Sequence, residues 1–457
     1  MPTYIVTTEY DLEKIAAPNL PTAPPEWDSR FQEQFSNVLR LYFNRLDNFF
    51  SKFMANISPL PVTVTGQNTD AFGRLRVASP YTLFDSQNRY APDEQFSEST
   101  ASGGSTTYLP YESSVQMSVT TTSGSEVVRQ TFRVFPYQPG KSLLLLATFV
   151  MAAGQANLRQ RVGYFNTDNG LFFQKDGTTN SFVLRSNVTG TPSDTRTVAQ
   201  AQWNGDKLDG SGPSKLLLDT TKAQILWADF EWLGVGSVRC GFIINGEYIL
   251  CHTFQNANQI TSVYMTTAIL PVRYEIRATG ALASSASMKQ ICSSVISEGG
   301  YEQVETSQIA RRTTALGTIS TTFLPLVSIR LASDSLGAVV LVQSTDVLPT
   351  TNQNYEVALF KNATLTGASY DTTTFNHVDY DVTATAVTGG TMVQQGYVTS
   401  SSQGRTVLVT PSGYNFDLQL GVSLAGVSDV YTLAIRTVSG ATTGDAVGSI
   451  SFIDLTD

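Results

Sequence analysis

The stretch Asp229–Phe254, DFEWLGVGSVRCGFIINGEYILCHTF, decides the fold of this chain. Phe230 and Trp232 alternate with acidic neighbours, which is the period-two pattern of a half-buried strand. A second β-rich run, Val238–Ile244, leads into Asn245-Gly246, the dipeptide that a type I′ hairpin turn requires because both central residues have positive φ. The chain then returns antiparallel over the rest of the stretch. A hairpin this apolar needs a second sheet to cover it, so the stretch predicts a β-sandwich.

Short alternating runs separated by turn residues continue on both sides of this hairpin, and they predict a mainly β protein in three parts. Residues 1–58 are predicted to form an N-terminal arm and one amphipathic helix. Residues 59–303 are predicted to form a jelly-roll or lectin-like sandwich, and residues 304–457 a small C-terminal sandwich. Gly299-Gly300 and the polar run to Ser307 are predicted to be a hinge, and residues 189–212 the longest loop.

Charge is scarce in this chain. Charged residues make up 15% of the 457 residues, against roughly 25% in ordinary soluble domains. Ser, Thr, Gly, Asn and Gln take their place, which is typical of sandwiches whose uncharged polar faces press against neighbouring subunits. A net charge of −9 disfavours binding to nucleic acid, because binding to its phosphates requires clustered Lys and Arg.

Three cysteines, Cys240, Cys251 and Cys292, have no zinc-site spacing and no CxxC motif. They are predicted to be buried free thiols of a protein made in a reducing cytoplasm, although Cys240 and Cys251 could face one another across the hairpin. The N-terminus lacks the pattern of a signal peptide, and apolar runs such as Leu143–Ala153 are too short to span a bilayer. We therefore expect a soluble protein without a membrane partner.

The segment in front of the β body is predicted to attach or assemble the protein. Four prolines between positions 18 and 25 favour an extended arm. Trp27–Ile57 is predicted to be a helix that Ser58-Pro59 ends, and its apolar residues recur at steps of three or four along one stripe. The stripe, predicted to serve anchoring or oligomerisation, consists of Phe31, Phe35, Val38, Tyr42, Leu46, Phe49 and Phe53. It could pack on its own β body, associate with other copies, or dock into a partner subunit.

The long ordered stretches of the β body resemble virion structural proteins of tailed bacteriophages. The resembling stretches are Asp229–Phe254, SVYMTTAILPVRYEI (262–276), QICSSVISEGGY (290–301), RVGYFNTDNGLFFQKD (161–176) and AFGRLRVASPYTLFDSQNRY (71–90). In the helix, LYFNRLDN (41–48) resembles an opening module that related phage proteins place before different bodies. The resemblance implies a virion component, with that module as the docking segment, but members of the family occupy heads, tails or fibres.

Candidate reactive groups are few. Asp229 and Glu231 lie two apart on a predicted strand, which suits a glycosidase carboxylate pair, but the third carboxylate of lectin-like glycosidases is absent. His252 and His377 are predicted to fall in different domains. Asn166–Gly170 resembles the start of a calcium loop without its bidentate Glu, and is predicted to be a plain turn. We therefore expect no catalytic residue, no metal and no cofactor.

Gly73-Arg74-Leu75-Arg76 recurs in the resembling family and places two arginines on one strand face. These arginines suit a contact with a carboxylate-bearing neighbour, and an ordinary surface strand is the alternative.

Together these patterns predict a phage virion structural protein, fibre-like or decorating, that is made in the host cytoplasm and held on the particle by its arm and helix. Its predicted partners are capsid, portal or tail subunits, and by analogy with phage fibres it is predicted to be a homotrimer. A tail adaptor and a glycan-binding or glycan-cleaving tail protein are the alternatives, with host-surface glycan as the further partner.

Overall fold

The computed structural model describes residues 25–57, 79–302, 305, 307–399, 406–409, 418–438 and 444–456, with only the backbone at 51–57 and 406–409. The proline-rich arm before residue 25 and the segment Gly73–Arg76 lie outside these residues. Residues 416–423, which the sequence predicts to be a strand, are described from 418 on, and they form the isolated bridges Leu341–Gln419 and Val422–Ser428 instead of a strand. The chain divides into two units, Met1–Val77 and Ala78–Asp457, and each is described by itself.

The first unit contains one helix, α1, Ser29–Ile57. Asp28 caps its start: the Arg30 N–H donates to Asp28 Oδ1 at 2.8 Å, and the Gln32 N–H donates to the Asp28 carbonyl at 3.2 Å. This cap places the start two residues after the predicted Trp27, and the helix ends at Ile57, as predicted.

In the second unit, residues 81–297 form two antiparallel sheets packed face to face. The strands are β1 Tyr81–Gln87, β2 Phe96–Ala101, β3 Ser105–Leu109, β4 Ser114–Val119, β5 Glu126–Thr131, β6 Leu143–Val150, β7 Leu158–Phe165, β8 Gly170–Asp176, β9 Thr179–Ser186, β10 Ser193–Ala199, β11 Gln224–Phe230, β12 Val238–Ile244, β13 Glu247–Phe254, β14 Val272–Ala278 and β15 Ala286–Ser297. The eight-stranded sheet has the order β13-β12-β11-β6-β15-β4-β3, with β1 also on β15. The seven-stranded sheet has the order β10-β9-β8-β7-β14-β5-β2.

Residues 307–454 form a second, smaller sandwich. Its strands are β16 Ser307–Ile319, β17 Leu324–Leu331, β18 Val340–Pro349, β19 Asn354–Lys361, β20 Thr364–Thr366, β21 Val378–Asp381, β22 Ala386–Thr388, β23 Thr391–Thr399, β24 Thr406–Val409, β25 Val430–Thr437 and β26 Gly444–Asp454. A four-stranded sheet, β16-β26-β18-β24, packs on a five-stranded sheet, β21-β17-β25-β19-β23, and β20 pairs with β22. The chain is thus mainly β, with two sandwiches of the jelly-roll and lectin-like type and one N-terminal helix.

The predicted hairpin lies in the eight-stranded sheet, and its inward side chains belong to the core. Asn245 and Gly246 have φ of 55° and 81°, as a type I′ turn requires. Phe242 on β12 meets Phe173 on β8 edge-on at 5.2 Å, and Phe149 on β6 stacks on the same Phe173 at 6.0 Å. These rings join the two sheets across the sandwich.

Eight strands in the described part of the chain were not predicted from the sequence: β1, β2, β3, β10, β15, β16, β20 and β22. Strands β10 and β16 show one reason. The predicted long loop contains β10, which pairs with β9, and β16 pairs with β26 although its residues are mostly exposed. Both are edge strands of polar residues, interrupted by bulges, so hydrophobic alternation does not reveal them.

The two sandwiches share a junction. Val339, Leu341, Ile453 and Leu455 of the second sandwich belong to the same buried cluster as the core of the first. The Val422 N–H donates to the Phe132 carbonyl at 2.8 Å. A Cβ at Gly421 would lie 3.0 Å from Phe132 Cβ and 2.8 Å from Asp429 Oδ2, so the close approach of the two backbones requires glycine here.

We predict that Gly421→Val loosens this junction. The added side chain must displace Phe132 or Asp429, and overpacking of this kind costs about 1–3 kcal/mol. Calorimetry should show a lower melting temperature, with the second sandwich unfolding separately from the first. Gly337→Ala is the matched control, because a Cβ at Gly337 meets no atom within 4 Å. A Gly421→Val protein that melts like Gly337→Ala would contradict the assignment of the junction.

Candidate attachment helix and candidate reactive groups

The predicted anchoring residues form one stripe along α1. Those from Phe31 to Phe49 are half-buried, and Phe53 continues the stripe in the helix backbone. Phe31 and Phe35 stack with ring centroids 6.1 Å apart, as residues four apart on a helix do. The stripe repeats after eleven residues, from Phe31 to Tyr42, so on a straight helix it drifts by only about 40° over two repeats.

The flanks of the stripe carry large apolar side chains that face solvent. Leu41, Phe43 and Phe50 are 59%, 58% and 56% exposed, and Trp27 before the helix is 84% exposed. At 29 residues the helix is about 43 Å long. Within the described residues, α1 does not combine the length and hydropathy needed to cross a bilayer.

The predicted glycosidase pair does not form a pair on one strand. Asp229 is buried on β11, and its carboxylate accepts hydrogen bonds from Arg239 Nη2 and, at 3.2 Å, from Arg239 Nε. Glu231 lies beyond the end of β11 and is exposed. Burial raises the pKa of Asp229, and Arg239 acts in the opposite direction. Both carboxylate oxygens of Asp229 are thus held by a cross-strand partner.

The two histidines have structural contacts in separate sandwiches. His252 is buried, its ring meets Phe254 edge-on at 4.5 Å, and its Nδ1 accepts a hydrogen bond from the Asn204 N–H at 3.3 Å. Burial lowers the pKa of His252, with a smaller contribution from Arg196. His377 Nδ1 lies 2.6 Å from Asp454 Oδ2.

The cysteines differ from the prediction in one respect. Cys240 and Cys251 are buried free thiols, and burial raises the pKa of both. The strand register places His252, not Cys251, opposite Cys240. Cys292 is exposed, contrary to the prediction, because a bulge between Gln290 and Ser293 interrupts the alternation of β15 there.

The predicted turn at Asn166–Gly170 is closed by its own side chains. Asn166 Oδ1 accepts from the N–H groups of Asp168 and Asn169, at 2.9 and 2.8 Å. The Arg185 guanidinium donates to the carbonyls of Asn166 and Thr167, so a protein cation already faces these oxygens. The described residues contain no group of three or more His, Cys, Asp or Glu side chains arranged to hold a metal ion.

A charged network that the sequence did not predict covers the outer face of the seven-stranded sheet. Glu275 on β14 is buried there, within 3.1 Å of Arg159, 3.6 Å of Arg161 and 2.9 Å of Arg273. Burial alone would raise the pKa of Glu275, but the arginines, Arg273 first, outweigh it and hold the pKa below its ordinary value. The network is a surface of paired charges rather than an apolar one.

We predict that Glu275→Gln lowers the free energy of unfolding by about 3 kcal/mol at pH 7, because it leaves buried arginines without their carboxylate. The lowered pKa means that this contribution is complete above the ordinary glutamate pKa of about 4.3 and is lost as pH falls through the folded value. Urea unfolding from pH 7 to pH 2 should therefore show a weaker pH dependence in the variant.

Glu126→Gln is the control on the same face. Glu126 pairs with the half-exposed Arg277 at 3.5 Å, so this change should cost at most about 1 kcal/mol. Equal effects of the two substitutions would mean that the network does not contribute as described.

Comparison with known proteins gives fold likenesses only. No family model matches the chain, and no curated protein matches it. Among solved structures, it is similar to the Emp47p carbohydrate recognition domain (12% identity, TM-score 0.30, 48% of this chain and 95% of that one). It is also similar to Bacillus licheniformis β-glucanase, with 12% identity, a TM-score of 0.31, and coverage of 46% of this chain and 96% of that one. A third similar structure is the CBM2 module of Lactobacillus casei BL23 phage J-1 evolved Dit, with 7% identity, a TM-score of 0.33, and coverage of 50% of this chain and 100% of that one. At these values no function is transferred to this chain.

Proposed function

We propose that this chain is a structural protein of a tailed-phage virion, a fibre-like or decorating component whose α1 segment attaches it to the particle. The observation that carries the proposal is the solvent exposure of Leu41, Phe43 and Phe50 beside the half-buried stripe. Covering one such side chain is worth about 1.5–3 kcal/mol, so a helix with several of them gains substantially from a partner surface.

The β body supports a structural role in a different way. Several of its charged side chains in the described residues are held in ion pairs, such as Asp229 with Arg239 and Glu356 with Arg436. A catalytic pair needs carboxyl groups held around a concave site with their pKa values pushed apart. Asp229 has its own cationic partner instead, and we propose that the protein is not an enzyme.

We further propose that α1 assembles with copies of itself, as a trimer. The eleven-residue repeat of the stripe favours a nearly straight bundle with a slight right-handed twist, since only a seven-residue repeat requires left-handed supercoiling. The number three follows from analogy with phage fibres. Light scattering of the full chain at micromolar concentration should give three times the chain mass, and a monomer would contradict self-association.

We predict that the triple variant Leu41→Ser, Phe43→Ser, Phe50→Ser keeps a folded β body but does not join the particle. The changes remove apolar area from the flanks of the stripe and leave the body untouched. Phage grown with the variant as its only source should yield particles that lack the protein in gels and electron micrographs.

Glu33→Ala with Arg40→Ala is the control, because both residues are exposed, precede the segment 41–48 and lie on the opposite side of α1 from the stripe. This control should be incorporated at normal copy number. Normal incorporation of the triple variant, or of a chain without residues 1–57, would refute attachment through α1.

Glycan contact is a second candidate, favoured by Tyr90 and Tyr111. They are 83% and 103% exposed, and a hydrogen bond from the Tyr108 O–H to the Arg89 carbonyl holds their two loops at one end of the first sandwich. Exposed tyrosines of this kind are adaptable recognition groups.

We predict that host-surface polysaccharide incubated with the purified protein shows no release of reducing ends, while any binding weakens in Tyr90→Ser with Tyr111→Ser. Asp229→Asn and Glu231→Gln serve as the paired test of chemistry. Steady release that disappears in either carboxylate variant would make the protein a glycan-cleaving enzyme.

A further inference from the structure

The outer face of the eight-stranded sheet carries apolar side chains on five of its strands, β13, β12, β11, β6 and β15. On β6, the residues Leu143, Leu145, Ala147 and Phe149 belong to the core, so the alternate residues point the other way. Together with register partners on the neighbouring strands these form what we call the apolar face, which consists of Leu144, Leu146, Val150, Ile225, Trp227, Ile243, Tyr248, Leu250 and Ile296. All but Trp227 are half-buried or exposed.

Trp227 is the centre of the apolar face. Its Nε1 donates to the Ile249 carbonyl at 3.2 Å, and its ring meets Tyr248 at 5.6 Å. A Cβ at Gly241 would lie 2.7 Å from Trp227 Nε1, so the indole lies directly on the glycine of the neighbouring strand. The indole is therefore flattened onto the sheet, which suits a smooth protein contact better than the stacking of a sugar on a projecting ring.

The sequence of β6 is typical of a strand covered on both sides. LLLLATFV is apolar except for Thr148, and nearly continuous apolar runs occur where both faces of a sheet are buried. In the part of the chain that the structure describes, the buried clusters contain only the inward residues of this strand. The outward leucines thus indicate a second layer supplied from outside the first sandwich.

The charge of the apolar face fits a second copy of the same chain. The chain carries −9 overall, so two copies repel one another on most approaches. Among the described outward residues of the central strands β11 and β12, Asp229 and Arg239 neutralise one another. The opposite face of the sandwich carries the network around Glu275, with four arginines against two carboxylates. On β15 of the first face, Lys289 likewise pairs with Glu112. Because its central charges occur as such pairs, the first face is the more apolar of the two and is complementary to itself.

The area of the apolar face determines whether it can hold two copies together without other contacts. Five strands about 4.8 Å apart and the seven residues from Leu144 to Val150 give roughly 20 by 20 Å, or about 400 Å². A stable interface buries about 800 Å² per partner, so the face is too small to hold two free copies together. It is large enough to order copies that are already neighbours, which in the function proposed above is what α1 provides.

We propose that the apolar face packs against the same face of a second copy of this chain. The contact lays Leu146 and Ile225 of one copy against the apolar face of the other, and it rests on the proposed function in that α1 brings the copies together. In the proposed threefold assembly the apolar faces meet around the axis, so one part of each face contacts a different part of the next copy's face.

The test is cross-linking of the full chain in a Cys292→Ser background, which removes the exposed thiol. Leu146→Cys and, separately, Ile225→Cys are treated with a short bis-maleimide, and Thr197→Cys on the exposed outer side of β10 is the control. We expect covalent dimers several-fold more abundant for the two apolar-face positions than for the control. Equal yields at all three positions, or a protein that stays uncross-linked, would overturn the proposal.

A second measurement does not depend on thiols. Leu146→Glu places a charge in the contact and should weaken association in sedimentation at least about tenfold, with the melting temperature nearly unchanged because Leu146 is half-exposed. Thr197→Glu adds the same charge on the other sheet and should leave association intact. An unchanged association of Leu146→Glu would overturn the proposal.

The two experiments distinguish failure of the face proposal from failure of the attachment proposal. If the full chain assembles and incorporates through α1 but Leu146→Cys does not cross-link above the control, the face proposal fails and the attachment stands. If Leu146→Cys cross-links while the α1 triple variant is still incorporated into particles, the face proposal stands and the attachment fails.

Discussion

The alternation of side chains along paired strands is the constraint on which the rest of this structure depends. Phe149, Phe173 and Phe242 meet between the sheets at 5.2–6.0 Å, and a slip of one residue would turn each of them to the outside. The core therefore fixes which residues face inward and leaves the outward residues free to differ. One sandwich can in this way carry a network of arginines around Glu275 on one side and the apolar face around Trp227 on the other.

The sequence predicted the parts of the fold whose signals are local. Asn245-Gly246 needs only its own backbone preferences, and α1 needs only its stripe and its cap at Asp28. Strands β10 and β16 were missed because neighbours in the sheet, not their own side chains, hold them in place. The Glu275 network joins residues far apart in the chain, so the local sequence pattern does not predict it.

The candidate site follows the same division. The apolar stripe is a property of one helix, and its residues from Phe31 to Phe49 are half-buried on one side of α1, as predicted. The particle surface proposed as its partner is a property of another protein, which this sequence does not contain. Asp229 and Glu231 suggested a carboxylate pair because the sequence shows only their spacing along the predicted strand. The ion-pair partner of Asp229, Arg239, lies directly opposite on the next strand, and the register of these two strands depends on the connection 231–237, which the predicted Asn245-Gly246 turn does not set. In contrast, the run of four leucines in β6 held an unused signal of a second buried face.

In the proposed assembly, α1 raises the local concentration at which the apolar faces of two copies meet. A face of about 400 Å² gives too little to offset the entropy of bringing two free molecules together, which costs at least about 4 kcal/mol. Copies fixed side by side by their helices meet at an effective concentration in the millimolar range. A contact with a dissociation constant near 1 mM, worth about 4 kcal/mol, is then half occupied or better. In the proposed assembly, the bodies stay dispersed before assembly and become ordered afterwards, because the weak face acts only where the helix has already placed a neighbour.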